Sequence, residues 1–160
     1  MSSKPDYLDD LRMRERATYP FWFQDHVRWS DTDMMGHANN LAFAGFCESG
    51  RARLLQVFMH QEAQPRILVV LAEMRIRYLG EAKWPAVIDI GTCVTTISQR
   101  ACWMAQGLFD GERCICVAES ALVVVDETTH RPREMPEPLR ELLAGHHFEF
   151  GESQLARAAA

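Results

Sequence analysis

Apolar positions change period along this chain, and the changes outline its elements. From Phe23 to Ser30 (FQDHVRWS), Val27 and Trp29 lie on alternating sides of Arg28, which predicts a strand. Asp31 to Asn40 (DTDMMGHANN) is polar, rich in turn formers and contains Gly36, so it reads as a loop. Leu41 to His60 then switches to helical spacing, with Phe43, Phe46, Cys47, Gly50, Leu54 and Val57 recurring on one face. Its first half, LAFAGFC, is apolar all round, the mark of a helix buried on every side. Gly45 and Gly50 each cost a helix about 1 kcal/mol relative to Ala, which predicts close packing against both. Asn39 or Asn40 is the natural N-cap.

Beyond Gln64-Pro65 the period becomes two. Ile67–Leu79, Ala86–Ile97, Arg100–Phe109 and Arg113–Asp126 read as successive strands. Asp110-Gly111 marks a short hairpin between the last two. Pro132, Pro136 and Pro138 punctuate the exit from the strands, and Glu137–Ala144 reads as a short helix. The order is strand, long helix, four antiparallel strands: an α+β layout with one curved sheet of about five strands wrapping a central helix. Residues 1–20 read as a loose lead-in, 21–144 as one domain and 145–160 as a flexible tail. A helix buried on all sides needs more cover than one sheet provides, so a homo-oligomer is expected.

Composition narrows the function. The net charge is −5 and the pI about 5.7, which argues against nucleic acid as a bulk partner. The longest apolar run, Ile67 to Ala72, is far short of a membrane span. Residues 1–16 are charged throughout and hold no apolar signal core. Five cysteines, an odd number scattered through apolar segments, read as reduced core residues of a cytoplasmic protein. Cys114 and Cys116 form C-x-C with no second pair to complete a zinc pattern, so no metal is expected.

The chemistry concentrates in the loop before the helix. Asp31 and Asp33 do not fit a calcium loop, because Met35 and Ala42 stand where further oxygen ligands are required. Asp31 reads as a turn former bonding its own backbone. The helix start at Asn39–Leu41 offers unsatisfied N–H groups and the positive end of a macrodipole. Such an end can polarise a carbonyl, and a carboxylate facing it can attack that carbonyl or activate water. Those two parts suffice for acyl transfer without Ser, Cys or a metal.

The stretch VRWSDTDMMGHANNLAFAGFCESGRARLL resembles the hotdog-fold acyl-CoA thioesterases of the 4-hydroxybenzoyl-CoA thioesterase class. The pattern there runs strand, D-x-D-x-x-G-H-x-N-N, then an aromatic helix with F-x-E-x-x-R. This chain supplies Asp31, Asp33, Gly36, His37, Asn39, Asn40, Phe46, Glu48 and Arg51 in that order. The resemblance implies that Asp33 is the catalytic carboxylate, as nucleophile or as general base, and that a backbone N–H at Asn40 polarises the thioester carbonyl. It implies a CoA thioester substrate with no cofactor, and a dimer joined sheet edge to sheet edge, with its sites at the interface, or a tetramer of such dimers. His37 and Asn39 fall behind the site as supporting residues, Asn39 as helix cap. Glu48 is read first as an ion-pair partner of Arg51 and second as an alternative acid, since another hotdog branch uses a helix glutamate. For substrate contacts the candidates are Phe43, Phe46, Tyr78 and Trp103 at the acyl group and Arg100 at the CoA end. Ala101 and Cys102 stand near where the 4-hydroxybenzoyl-CoA thioesterase class often carries serine.

The leading reading is therefore a thioester hydrolase acting on an acyl- or aryl-CoA. A non-catalytic acyl-thioester-binding module is the alternative, and a dehydratase is disfavoured because the helix holds no His–acid pair. Acyl identity, and delivery by CoA or by a carrier protein, stay open.

Overall fold

The computed structural model describes residues 7–59 and 67–150. Five strands form one antiparallel sheet: β1 (Phe21–Val27), β2 (Ile67–Tyr78), β3 (Ala86–Ile97), β4 (Ala101–Asp110) and β5 (Arg113–Asp126), in the order β1-β3-β4-β5-β2. The long helix α1 (Asn40–Met59) lies between β1 and β2 in the chain, and α2 (Glu137–Ala144) follows β5. The expected last residue of α1, His60, lies outside the described residues. The first strand begins and ends earlier than its alternation suggests. Trp29–Asp31 instead closes a 3-10 turn, in which the Asp31 carboxylate accepts the Arg28 N–H at 2.7 Å.

The hairpin between β4 and β5 turns on Gly111 and Glu112. Asp110 pairs with Arg113, and Gly111 sits at φ 61°, where a side chain is strained. Three register shifts interrupt the sheet, leaving Ala72, Thr95 and Ile115 as extra residues in their strands. Each such bulge adds local twist, and together they help to curl the sheet around α1.

The face of α1 toward the sheet carries Phe43, Phe46, Cys47, Gly50, Arg51, Leu54 and Phe58, all buried. Phe43, Phe46 and Cys47 pack with Val27, Ile88, Leu108 and Ile115. Leu54 and Phe58 pack with Val94, Met104, Leu122 and Leu139 of α2. The opposite face is open: Leu41 is 82% exposed, and Gly45 and Glu48 also face outward. Within one chain, then, the curved sheet covers only one face of the helix, and the cover expected for the other face from a second subunit lies outside a single chain. Gly50 does meet its expected neighbour, with an added Cβ standing 2.6 Å from Ile90 and 2.9 Å from Gln106. A Cβ added at Gly45 would meet nothing within 4 Å among the described residues beyond its own stretch of helix backbone, so the packing expected there is absent within one chain.

The outer face of the sheet is covered by the chain itself. Residues 7–20, read as a loose lead-in, form two 3-10 turns (Leu11–Arg14, Arg16–Thr18) that seat Leu8, Met13 and Tyr19 on Cys93, Ala105, Phe109 and Val117. The Tyr19 ring fills the gap above the cross-strand pair Gly91–Gly107, and its hydroxyl donates to the Met13 carbonyl at 2.6 Å. Glu119, buried, accepts the Tyr7 N–H at 2.8 Å and pairs with Arg75. The first part of the expected tail is held as well: Val94 bonds His146 and Phe148 through the backbone, and Phe150 stacks on Tyr7 at 4.6 Å. Residues 151–160 lie outside the described residues. All five cysteines are free thiols, four of them buried. No helix among the described residues is long and apolar enough to cross a membrane.

Candidate active site

The loop between β1 and α1 is built by its own hydrogen bonds. Thr32 and Ala38 form an antiparallel bridge, and inside it the Asp33 N–H donates to His37 O while Gly36 N–H donates to Asp33 O, both at 3.0 Å. Gly36 takes φ 76°, which a residue without Cβ adopts freely. One Asp33 carboxylate oxygen accepts the Met35 N–H at 2.8 Å. Asp33 thus stands exposed at the tip of a tight turn, its second oxygen without a partner among the described residues.

Asn39 is the joint between this turn and the helix. Its N–H and side-chain amide both donate to the Asp31 carbonyl, at 2.8 and 2.9 Å, while its Oδ1 accepts the Ala42 N–H at 2.9 Å. Asn39 is therefore the N-cap. The N–H groups of Asn40 and Leu41, one residue inside it, have no acceptor among the described residues. They form the open positive end of a twenty-residue helix.

The loop is moored on its other side to the segment after β2. Ala38 N–H donates to Ala82 O at 2.8 Å, and His37 Nε2 pairs with the Glu81 carboxylate. Glu81 is in turn held by its carbonyl, which accepts from Arg113 at 3.0 Å. Tyr78, at the end of β2, packs edge-on against Phe43 at 5.4 Å and donates its hydroxyl to Asn40 O at 3.4 Å. Burial pushes that phenol above its ordinary value, so it is a neutral donor at pH 7. Glu81 carries no motif signal of its own, and only the fold brings it to the loop.

A polar pocket of about 380 Å³ opens beside the first turns of α1, lined by Asp25, Arg28, Asp31, Asn39, Phe46 and Glu48 among others. A larger, mostly apolar groove of about 820 Å³ continues along the helix past Ser49, Ala52 and Gln56 to Met59, between β1 and the start of β2. Of the expected site residues, Asn39, Phe46 and Glu48 line the polar pocket. Asp33 and His37 sit on the neighbouring turn, and Phe43 lies buried beneath it.

Two expectations are corrected. Glu48 does not pair with Arg51: the arginine turns under the helix and donates to Gln106 Oε1 at 3.0 Å and Ser120 Oγ at 3.1 Å, while Glu48 faces outward. Burial accordingly holds the Arg51 guanidinium below its usual pKa. Arg100 is not part of this site within one chain. It occupies the turn between β3 and β4, beside Met135 and α2, at the other end of a twelve-residue strand whose length is on the order of 35 Å. Trp103 pairs with Thr96 next to that same turn. No group of three or more His, Cys, Asp or Glu able to hold a metal occurs among the described residues.

A five-stranded antiparallel sheet curled round one long helix is the hotdog fold. The sequence profile of the Thioesterase-like superfamily matches residues 27–143, and the chain belongs to that superfamily. Among solved structures, a Pseudomonas aeruginosa protein (PA5185) superposes with a TM-score of 0.77 at 22% identity, over 83% of this chain and 95% of that one. A protein from Bacillus stearothermophilus described as a predicted thioesterase gives 0.72 at 21% identity, over 82% and 98%. A Thermus thermophilus thioesterase, solved in complex with coenzyme A and Zn, gives 0.69 at 22%, over 80% and 95%. No curated protein sequence matches the chain.

Proposed function

We propose that this protein hydrolyses an acyl-CoA thioester, with Asp33 as the catalytic carboxylate and the α1 N-terminus as the site that polarises the thioester carbonyl. The observation that carries this reading is the pair of open amides at Asn40 and Leu41, one cap residue from a loop that presents an exposed carboxylate. Superfamily membership supports the reaction class. The D-x-D-x-x-G-H-x-N-N loop supports placement near the 4-hydroxybenzoyl-CoA thioesterases, and the CoA complex of a structural neighbour supports the thiol.

In the scheme the carbonyl oxygen accepts a hydrogen bond from Asn40 N–H, and negative charge that develops on it meets the helix dipole. By one route an Asp33 oxygen attacks the carbonyl carbon, the C–S bond breaks with the pair leaving on sulfur, and water then cleaves the resulting anhydride. By the other, Asp33 takes a proton from water as that water attacks, and the same C–S bond breaks. Both routes yield the free acid and CoA, and neither calls on a cofactor. Asn39 holds the two halves of the site in register, while His37 and Glu81 hold the loop from behind.

A homodimer completes the proposal. Among the described residues β2 pairs only with β5, which leaves its other edge for a second copy, and the outward face of α1 adds exposed apolar area beside it.

Thiol release from aryl-, short- and long-chain CoA thioesters tests the reading. Asp33→Asn should reduce turnover by about 100-fold or more while the protein stays folded. A wild-type protein that binds these thioesters and releases no thiol would make it a binding module, in which Asp33 only closes its turn on Met35.

A further inference from the structure

Beside the candidate active site, two tryptophans stand almost fully formed as a binding corner. Trp29 lies in the 3-10 turn that leads into the Asp33 loop, and Trp84 in the segment after β2 that moors the same loop. Their rings meet edge to face, with centroids 5.3 Å apart and planes at 84°. Trp29 is 72% exposed and Trp84 49%. Two indoles left this open on a chain with ample core mark a place where something flat and apolar docks.

We propose that this corner seats the purine nucleotide end of the substrate; the inference rests on the reading of the substrate as a CoA thioester. Perpendicular rings leave one indole face for a base to stack on and one edge to contact it from the side, and aromatic faces accept any base. Each tryptophan is preceded by a cation, Arg28 and Lys83, both exposed, and phosphates would meet these charges next to the base. Of the nearby carboxylates, three have partners, one of them Arg28 itself, and Asp33, with one oxygen unpartnered among the described residues, belongs to the thioester end of the substrate. Asp25 accepts the His26 N–H at 2.8 Å and lies 3.6 Å from the Arg28 guanidinium, Asp31 holds the Arg28 N–H, and Glu81 pairs with His37. Trp29 is four residues before Asp33, at most about 13 Å along the backbone. An extended pantetheine arm spans that distance, so the thioester can sit at Asp33 while the nucleotide rests in the corner.

Unmodified CoA titrated into the full-length protein, followed by tryptophan emission and calorimetry, tests the corner directly. The expected result is a change in emission on binding and an affinity that falls at least about fivefold in each of Trp29→Ala and Trp84→Ala, the lower end for loss of one stacked base. Acyl-pantetheine, which lacks the nucleotide, should be turned over equally by wild type and variants, which also shows that the variants are folded. The proposal is overturned if the variants bind CoA as wild type does, if wild type binds pantetheine as tightly as CoA, or if the variants change sedimentation mass, which would make the pair a subunit contact. If no thioester is hydrolysed at all, the activity reading falls and the CoA titration still decides the corner by itself, with circular dichroism as the check on folding.

Discussion

Gln106 and Arg51 meet at 3.0 Å beneath the middle of α1, and the same glutamine amide donates to the Cys47 carbonyl and to Thr92 Oγ1, each at 3.0 Å. One side chain of β4 therefore grips the helix by both its backbone and its buried cation. This fixes the helix along its own axis, and with it the position of the open amides two and a half turns away.

Replacing Gln106 with Leu should leave a buried guanidinium short of an acceptor and destabilise the fold by about 1–3 kcal/mol. Arg51→Met together with Gln106→Leu should be milder than the sum of the single changes, because no charge is left stranded. Urea unfolding of the four proteins in the cycle measures this.

Gly50→Ala places a methyl where Ile90 and Gln106 already stand. It should cost about 1–3 kcal/mol, whereas Gly45→Ala, with open space around it, should be neutral or stabilising by up to about 1 kcal/mol. Thermal melts should place Gly50→Ala below wild type and Gly45→Ala at or above it.

Asn39→Ala removes a helix cap and the side-chain tie to the Asp31 carbonyl, and leaves the backbone one in place. A stability loss of about 1–2 kcal/mol is expected from the cap, together with a fall in turnover larger than any change in KM. Asn39→Asp, which keeps the cap oxygen and loses the side-chain donor, should restore stability better than activity.

The Arg12 guanidinium, hydrogen-bonded to Asp10, holds that carboxyl below its ordinary value, although burial acts in the opposite sense. The lowered folded value means the contribution is present above the unfolded carboxylate value of about 4 and is lost as pH falls through the folded one. Stability measured between pH 6 and pH 2 should drop less steeply below about pH 4 in Asp10→Asn than in wild type.

Burial pushes the Cys93 and Cys102 thiols up to about 12. In the native protein a thiol reagent at pH 8 should label the half-buried Cys114 first and leave these two untouched, and all five should react in denaturant. Mass spectrometry of the labelled peptides reports the order.

The sheet was legible because apolar residues recur at every second position, and β3 and β5 are bounded as that alternation indicates. The loop was legible because Gly36 and the paired asparagines satisfy turn and cap chemistry that depends only on near neighbours. Long-range partners were not. Glu48 and Arg51 sit at a spacing that suits an ion pair, but helix rotation sends Arg51 between the helix and the sheet. Arg100 lies a strand's length from the other site residues within one chain, a separation its place in the sequence does not record. Residues 7–20 hide their apolar anchors among charges because 3-10 turns impose no long period. Asp33 stands out by pattern, whereas its bond to Met35 and its exposure follow from the turn it closes.

The strand order also carries a timetable. β2 precedes β5, its one partner among the described residues, and Ile67 pairs with Asp126. As the chain emerges, β2 has no sheet to join until β3, β4 and β5 have formed their meander from local hairpins. Long-range closure of this kind is the slow step in a β-rich fold, and in the interval an apolar twelve-residue strand waits unpaired. Pulse-labelled hydrogen exchange during refolding should therefore show β4 and β5 protected first and β2 last, with that waiting strand as the segment through which crowded refolding goes astray.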